Sequence, residues 1–492
     1  CSGLSPWDVL NGDGLSLGTI SVVRPVFTIN IVDSTGRQTD ELAPTDTSIV
    51  RLPKIPNVDS LLNVLAAGAL PADIAPLSID AVVIDDGVSN TRQENDTAWM
   101  RGTIEGFDVA IRDISLGTGD AVDAHVLNDI TISVRRWHRQ YSDGRNILLE
   151  GGLVRISDDD SLMSVSDVRL NTAERGEYIA KGVMFSFANH RLTIDSTSIG
   201  TTVPDKEWLA SLKHPADRFR IAAEDIAMED IDLDALTRGT ALTVKKLSVG
   251  TLMIDVFSNK RGTPPRIKPR QLMPHQIVRE IPFTVGIDSL VVGNTSIRYA
   301  EQQPKSPTPG VLTWSNVGVT ITGLSSDPVV QARQPLKIQA TGRFLDQAQM
   351  AATFTFPLNV TVYEMHGEGS LQRLDIRKLN SFLPSIEGIR ITSGTADGAT
   401  FRFDVRGRAA RGVVDPVYRE LDIELVDKKT KKGNWLTGDL SFVASWLVVK
   451  NDNPRGEDHE VGKIAYTLPP NAALMETIWF PIRAGLGDVA GF

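Results

Sequence analysis

One spacing recurs along this chain and limits its fold more than any other feature: an aliphatic residue, two others, an aliphatic, one other, an aliphatic, then a turn-forming residue. Leu17, Ile20 and Val22 lead to Arg24-Pro25, after which Phe27, Ile29 and Ile31 alternate with Thr28 and Asn30. Ile79, Val82 and Ile84 precede Asp85-Asp86-Gly87. Val244, Leu247 and Val249 precede Gly250-Thr251, followed by Leu252, Ile254 and Val256. Ile287, Leu290 and Val292 precede Gly293-Asn294, followed by Ile297 and Tyr299. A degenerate copy around Asp397-Gly398 runs into Phe401, Phe403 and Val405. Gly, Asn and Asp tolerate positive φ, so each copy reads as a strand, a tight turn and a second strand. The two-residue gap in an otherwise period-two pattern would switch the buried face, and a β-bulge or strong twist accounts for it.

More strands lie between the copies. Residues 103–116, 130–134, 148–156 and 183–194 alternate, as do the longer stretches 312–321, 336–344, 351–362 and 417–426. Aromatic and β-branched residues fill them, as a pleated, half-buried surface favours. Helical patterns are few: 57–67, a turn at 206–212, another at 376–382 ended by Pro384, and 472–486, which Pro481 should divide into two pieces. The expected fold is mainly β: an elongated, twisted or curved, repeating antiparallel sheet, as a groove or half-open barrel, with a few short helices. Proline-rich stretches near 261–274 and 302–309 suggest linkers. They divide the chain into an N-terminal β-repeat region, 1–260, and a C-terminal one, 275–492, ending in short helices, across a soft boundary through which the sheet can continue.

Composition narrows the function. A net charge of −10 argues against a nucleic-acid surface, which needs a concentrated basic face. The run Lys428-Lys429-Thr430-Lys431-Lys432 before Gly433-Asn434 reads as a solvated hairpin tip, with contact to anionic lipid head groups as the alternative. Cys1 is the sole cysteine, which excludes an intramolecular disulfide and a multi-cysteine metal site. No stretch approaches the ~20 apolar residues of a spanning helix. Two readings of the start, Cys1-Ser2-Gly3, place the protein in a cell envelope: a lipid on Cys1, as in a mature bacterial lipoprotein, or a membrane anchor upstream of it.

No catalytic constellation emerges. The seven histidines, at 125, 138, 190, 214, 275, 366 and 459, show no metal-ligand spacing. Asp158-Asp159-Asp160-Ser161 and Asn11-Gly12-Asp13-Gly14 lack the spaced oxygens of a calcium loop and read as solvated turns. There is no nucleophile elbow and no phosphate-binding glycine loop. The expectation is a protein without catalysis, metal or cofactor.

Three stretches resemble the AsmA-like family of bacterial envelope proteins, relatives of TamB. The first is 10–20 leading to Arg24-Pro25-Val26-Phe27; the second is 282–299 followed by 310–314; the third is 367–380 with 389–404 and 418–426. The resemblance covers most of the chain through hydrophobic pattern. It implies a repeating β-groove whose apolar concave face binds or conducts lipid acyl chains between membranes. Its partners would be phospholipid, the membrane surface and other envelope proteins, on the periplasmic side. It also implies an N-terminal transmembrane anchor, which this sequence lacks. A scaffold subunit of an envelope complex or fibre, with the same fold and a filled core, is the alternative; an exported enzyme or carbohydrate-binding β protein is a third.

Overall fold

A computed structural model describes residues 15–32, 77–94, 98–116, 125–126, 129–157, 161–172, 176–201, 203–212, 214–262, 272–281, 283–426, 450–470 and 472–491. The chain forms two compact units: Cys1–Ile199 with Glu224–Lys245, and Gly200–Ala223 with Lys246–Phe492. Both are mainly β with a few short helices, as expected.

In the first unit, β1 (Leu15–Val23) and β2 (Val26–Val32) lie end to end and parallel to β3 (Leu77–Glu94). Next, β3 pairs antiparallel with β4 (Trp99–Leu116). The short β5 (His125–Val126) and β6 (Asp129–Tyr141) both pair with β4. The ladder continues through β7 (Asn146–Ser157), β8 (Leu162–Asn171) and β9 (Glu177–Ser186). The sheet is therefore mixed, with its parallel ladders at β1 and β2. A parallel neighbour requires a long crossover, and the chain between β2 and β3 is long enough for one. The expected strand at 183–194 divides: β9 ends at Ser186, His190 donates to the Phe187 carbonyl at 3.3 Å, and β10 (Arg191–Gly200) begins.

The tight turns expected in the repeat are not reversals. Asp85-Asp86-Gly87 lies inside the continuous β3, where register slips between Ile84 and Gly87 and Asp86 adopts φ 50°. Gly250-Thr251 lies inside β12 (Ala241–Asn259). Gly293-Asn294 lies inside β13 (Thr284–Gln302), with a register shift between Val292 and Thr295. Asp397-Gly398 lies inside β19 (Ile389–Arg406), with a shift between Ala396 and Gly398. Arg24-Pro25 is a jog between β1 and β2: the Arg24 amide donates to the Asp85 carbonyl at 2.8 Å, and the Val88 amide donates to that of Pro25 at 2.9 Å. Residues that tolerate positive φ serve a bulge as well as a turn, and only the neighbouring strands distinguish the two.

These bulges line up. In β3, β4, β6, β7, β8 and β9 one residue falls out of the ladder at the same register: Asp86, Gly106, Arg135, Gly151, Ser166 and Gly182. Gly106, Gly151 and Gly182 have φ of 60°, 63° and 61°. The Arg135 side chain crosses over Gly106 to reach Asp86, with Nη2 to Oδ1 at 2.8 Å. A Cβ on Gly106 would lie 2.5 Å from Arg135 Nη2. Gly106→Ala is expected to cost about 1–2 kcal/mol, set by left-handed backbone, because the guanidinium can swing aside. Urea unfolding checks it; an unchanged midpoint would refute a required positive φ.

The unit division falls inside β11 (Ala216–Ile231) and β12. Helix α1 (Asp205–Ser211) lies where 206–212 reads as helical, and α2 (Leu233–Thr237) follows an Asp232 N-cap whose side chain accepts from the Ala235 amide. In the second unit α3 (Pro274–Glu280) precedes β13, which pairs with β14 (Gly310–Ser325). After α4 (Pro328–Arg333) the antiparallel order is β14, β15 (Leu336–Phe344), β16 (Ala348–Phe356), β17 (Glu364–Leu371), β19, β20 (Ala409–Leu425) and β21 (Gly462–Thr467). The short β18 (Leu374–Asp375) also pairs with β19. A 3-10 turn (Ile376–Ser381) runs into α5 (Leu383–Ile386), so Pro384 opens a helix and does not end one.

Pro481 does not divide the C-terminal segment: α6 (Leu474–Ala490) is continuous, with Pro481 buried inside it. Tertiary packing offsets the lost backbone bond. Leu474, Ile478, Phe480, Ile482 and Leu486 pack on a core of Phe356, Leu358, Met365, Phe403, Val414 and Ile464, among others. A Cβ on Gly462 would overlap the Gly485 carbonyl, so the glycine lets α6 lie directly on β21. Among the described residues no helix is long and apolar enough to cross a membrane.

Tyr363 joins this core and its hydroxyl lies 3.1 Å from Thr477 Oγ1 on α6. Burial pushes its pKa up to about 12, against the lowering hydrogen bond from Thr477. The neutral phenol is the form that folding favours. Its contribution is therefore complete below the ordinary value of 10.0 and is lost as pH rises from there towards 12. Comparing urea midpoints of wild type and Tyr363→Phe from pH 9 to 12, the wild type is expected to lose up to ~2–3 kcal/mol more. Parallel pH profiles would contradict this.

Candidate functional site

The two faces of the first unit's sheet differ in chemistry. Because paired residues share a face, the register gives the rows directly. One row is Val82, Ile111, Ile130 and Ile156; the next is Ile84, Val109, Ile132, Val154, Met163 and Phe185. Across the bulge line come Phe107, Val134, Val165 and Val183, then Ile104, Trp137, Leu149, Val168 and Ala180. The gaps of three, Ile104 to Phe107, Val134 to Trp137 and Leu149 to Gly152, keep one face apolar because the bulged residue absorbs the extra position. The opposite face carries cross-strand ion pairs: Arg112–Asp129 at 3.0 Å, Arg136–Glu150 at 3.1 Å and Arg136–Glu105 at 3.8 Å. There too, the Asp167 hydrogen bond and charge hold Arg169 above its ordinary pKa.

Part of this apolar face is exposed, although Ile130 and Phe185 on it are buried. Ile132 is 37 % exposed, Met163 37 % and Tyr178 42 %. The edge strand β2 adds Phe27 and Ile29, both about half exposed. The Phe27 and Phe107 rings, 5.9 Å apart, border a cavity of about 370 Å³ lined by Thr28, Ile29, Ser89, Ile104, Ile132 and Val134. A sheet with one apolar face normally buries it under another layer. Among the described residues of this unit, no helix packs on β3, β4 or β6–β9. In the second unit, by contrast, α6 covers the corresponding kind of surface.

Other polar groups have local roles. A cavity of about 460 Å³ is lined by His190, Asp230, Ile231, Asp232, Leu233 and Asp234. Its carboxylates are engaged locally: Asp232 caps α2, and Asp230 lies 3.6 Å from Lys245. In the second unit Arg218, 3 % exposed, bridges Asp205 and Asp255 beneath Trp208 and Phe257. Burial opposes the charged form of Asp205, but Arg218, Arg220 and Arg298 together outweigh it and hold the carboxyl below its usual pKa. Arg298 pairs with Asp255 at 2.7 Å, so these carboxylates have partners and the cluster is a cross-strand clamp. His366 meets Asp404 at 2.8 Å and Glu368 at 3.9 Å, and His459 meets Asp415 at 2.6 Å, each as a local surface contact. Among the described residues no group of His, Cys, Asp and Glu could hold a metal ion. Cys1, the candidate lipid attachment, lies outside the described residues, as do 11–14, 57–67, 158–160 and 428–434.

No family model matches the chain, and no curated protein does. The resemblance to AsmA-like proteins therefore rests on the hydrophobic pattern of the residues quoted above.

Proposed function

We propose that the first unit holds lipid acyl chains on its partly exposed apolar face, as a non-catalytic component of a cell envelope in the manner of AsmA-like proteins. The supporting observation is the continuity of that face from β3 to β9, about 24 Å across at a strand spacing of ~4.8 Å. Methylene burial is worth about 0.8 kcal/mol each and has no direction, so a chain can shift along such a face at little cost. Lipid extraction and mass spectrometry of the purified protein is the test. Co-purifying phospholipid or fatty acid is expected, and protein that neither carries lipid nor takes up a fluorescent fatty acid would overturn the reading.

The filled core beneath α6 favours a second reading for the second unit alone, that of a scaffold. On this reading a photoactivatable fatty acid should label peptides from 99–186 rather than 336–490.

A further inference from the structure

One residue breaks the apolar face. In the cross-strand row Thr91, Gly102, Arg139, Ile147, Leu170 and Tyr178, Arg139 carries the only charge, and the rows between it and Ile130 carry none. Its guanidinium carbon sits 4.9 Å from the centre of the Trp137 ring, which confirms that both side chains lie on that face. Among the described residues no carboxylate pairs with it, and its Nε is buried without a hydrogen-bond partner. Its neighbours differ in this respect: Arg136 has Glu150 and Arg145 has Asp143 at 2.6 Å. Gly102, opposite Arg139 on β4, has no side chain to pair with the guanidinium.

A guanidinium without a carboxylate partner leaves its outer N–H groups to an arriving oxyanion, and such charge-assisted bonds are the strong ones. A guanidinium matches phosphate in particular, because its N–H fork meets two oxygens at once. Arg139 also lies near the hairpin end of β6, with ~30 Å of apolar surface running back along the strand to Ile130.

Resting on the lipid reading above, we infer that Arg139, stacked on Trp137, seats the phosphate of a glycerophospholipid and directs its acyl chains along β6 towards Ile130. Arg139 is thus a specificity and positioning residue for the bound lipid. A charge on an otherwise apolar face gives head and tail distinct places.

The test offers delipidated full-length protein an equimolar mixture of phosphatidylglycerol and diacylglycerol with matched chains, and quantifies both after re-isolation. Wild type is expected to retain the phospholipid about tenfold over diacylglycerol, the worth of one charge-assisted pair. Arg139→Gln should lose the preference while still retaining diacylglycerol, and Arg139→Lys should keep part of it. Lipid-free Arg139→Gln should unfold at no lower urea concentration than wild type, since a guanidinium without a hydrogen-bond partner has been removed. Equal retention of both lipids by wild type, or an unchanged preference in Arg139→Gln, would overturn this inference and leave the lipid reading standing. Retention of neither lipid by wild type would count against the lipid reading itself.

Discussion

Ile132→Glu is expected, on the proposed lipid-holding role, to lower retained lipid about tenfold or more, while Thr131→Glu leaves it within about twofold. An unpaired carboxylate facing hydrocarbon costs well over the ~1.4 kcal/mol that separates tenfold differences. Ile132 sits mid-face, opposite Val109 and Val154. Thr131 is its chain neighbour but points to the other side, opposite Ala110 and Arg155, where a glutamate gains a cationic partner. The pair holds position and charge nearly constant and changes only the face. Equal losses from both variants would mean that the apolar face is not where lipid lies. Because Ile132 is already 37 % exposed, its replacement should cost the fold little, and a matching urea midpoint would verify that.

The second large effect belongs to the other unit. Phe403 is fully buried between Gly367 on β17 and Gly412 on β20, two positions with no side chain to compete for its space. Phe403→Ala is expected to cost about 3–5 kcal/mol, a transfer loss plus a cavity that these glycine-flanked walls cannot close. Against a typical total of about 5–15 kcal/mol, that is a large share. Equilibrium urea unfolding measures it directly. A loss below ~1 kcal/mol would show that α6 settles into the vacated space, so that the core is less rigid than its packing suggests.

Much of the sheet is legible in the residues because alternation is local. Ile130, Ile132 and Val134 alternate with Thr131 and Ser133, and 336–344 coincides with β15. The sense of Asp85-Asp86-Gly87 is not local. A turn and a bulge ask the same φ of the same residues, and the choice belongs to β4, which pairs with β3 on both sides of the slip. The same ambiguity hides the face. A gap such as Val134 to Trp137 reverses the side chain in a regular strand and preserves it across a bulge, so the apolar rows emerge only with the register. Asp327-Pro328 and Asp232, each a cap before a helix, are signals that reading for strands alone passes over. Pro481 misleads for the opposite reason, since packing on the core outweighs a local rule. Arg139 carries no sequence signal at all; it is one of many arginines until the register sets it in a row with Ile147, Leu170 and Tyr178.

The aligned bulges from Asp86 to Gly182 have a consequence for how such a sheet can grow. A hairpin such as Asp129–Ser157 is a self-contained tile, with its odd residue set at a fixed distance from the turn. A duplicated tile docks on its neighbour in phase and extends the oily side by two strands. A tile whose odd residue is displaced by one position presents charge where its neighbours present hydrocarbon. Lengthening by whole hairpins is therefore cheap for this architecture, whereas inserting a single residue within a strand is not.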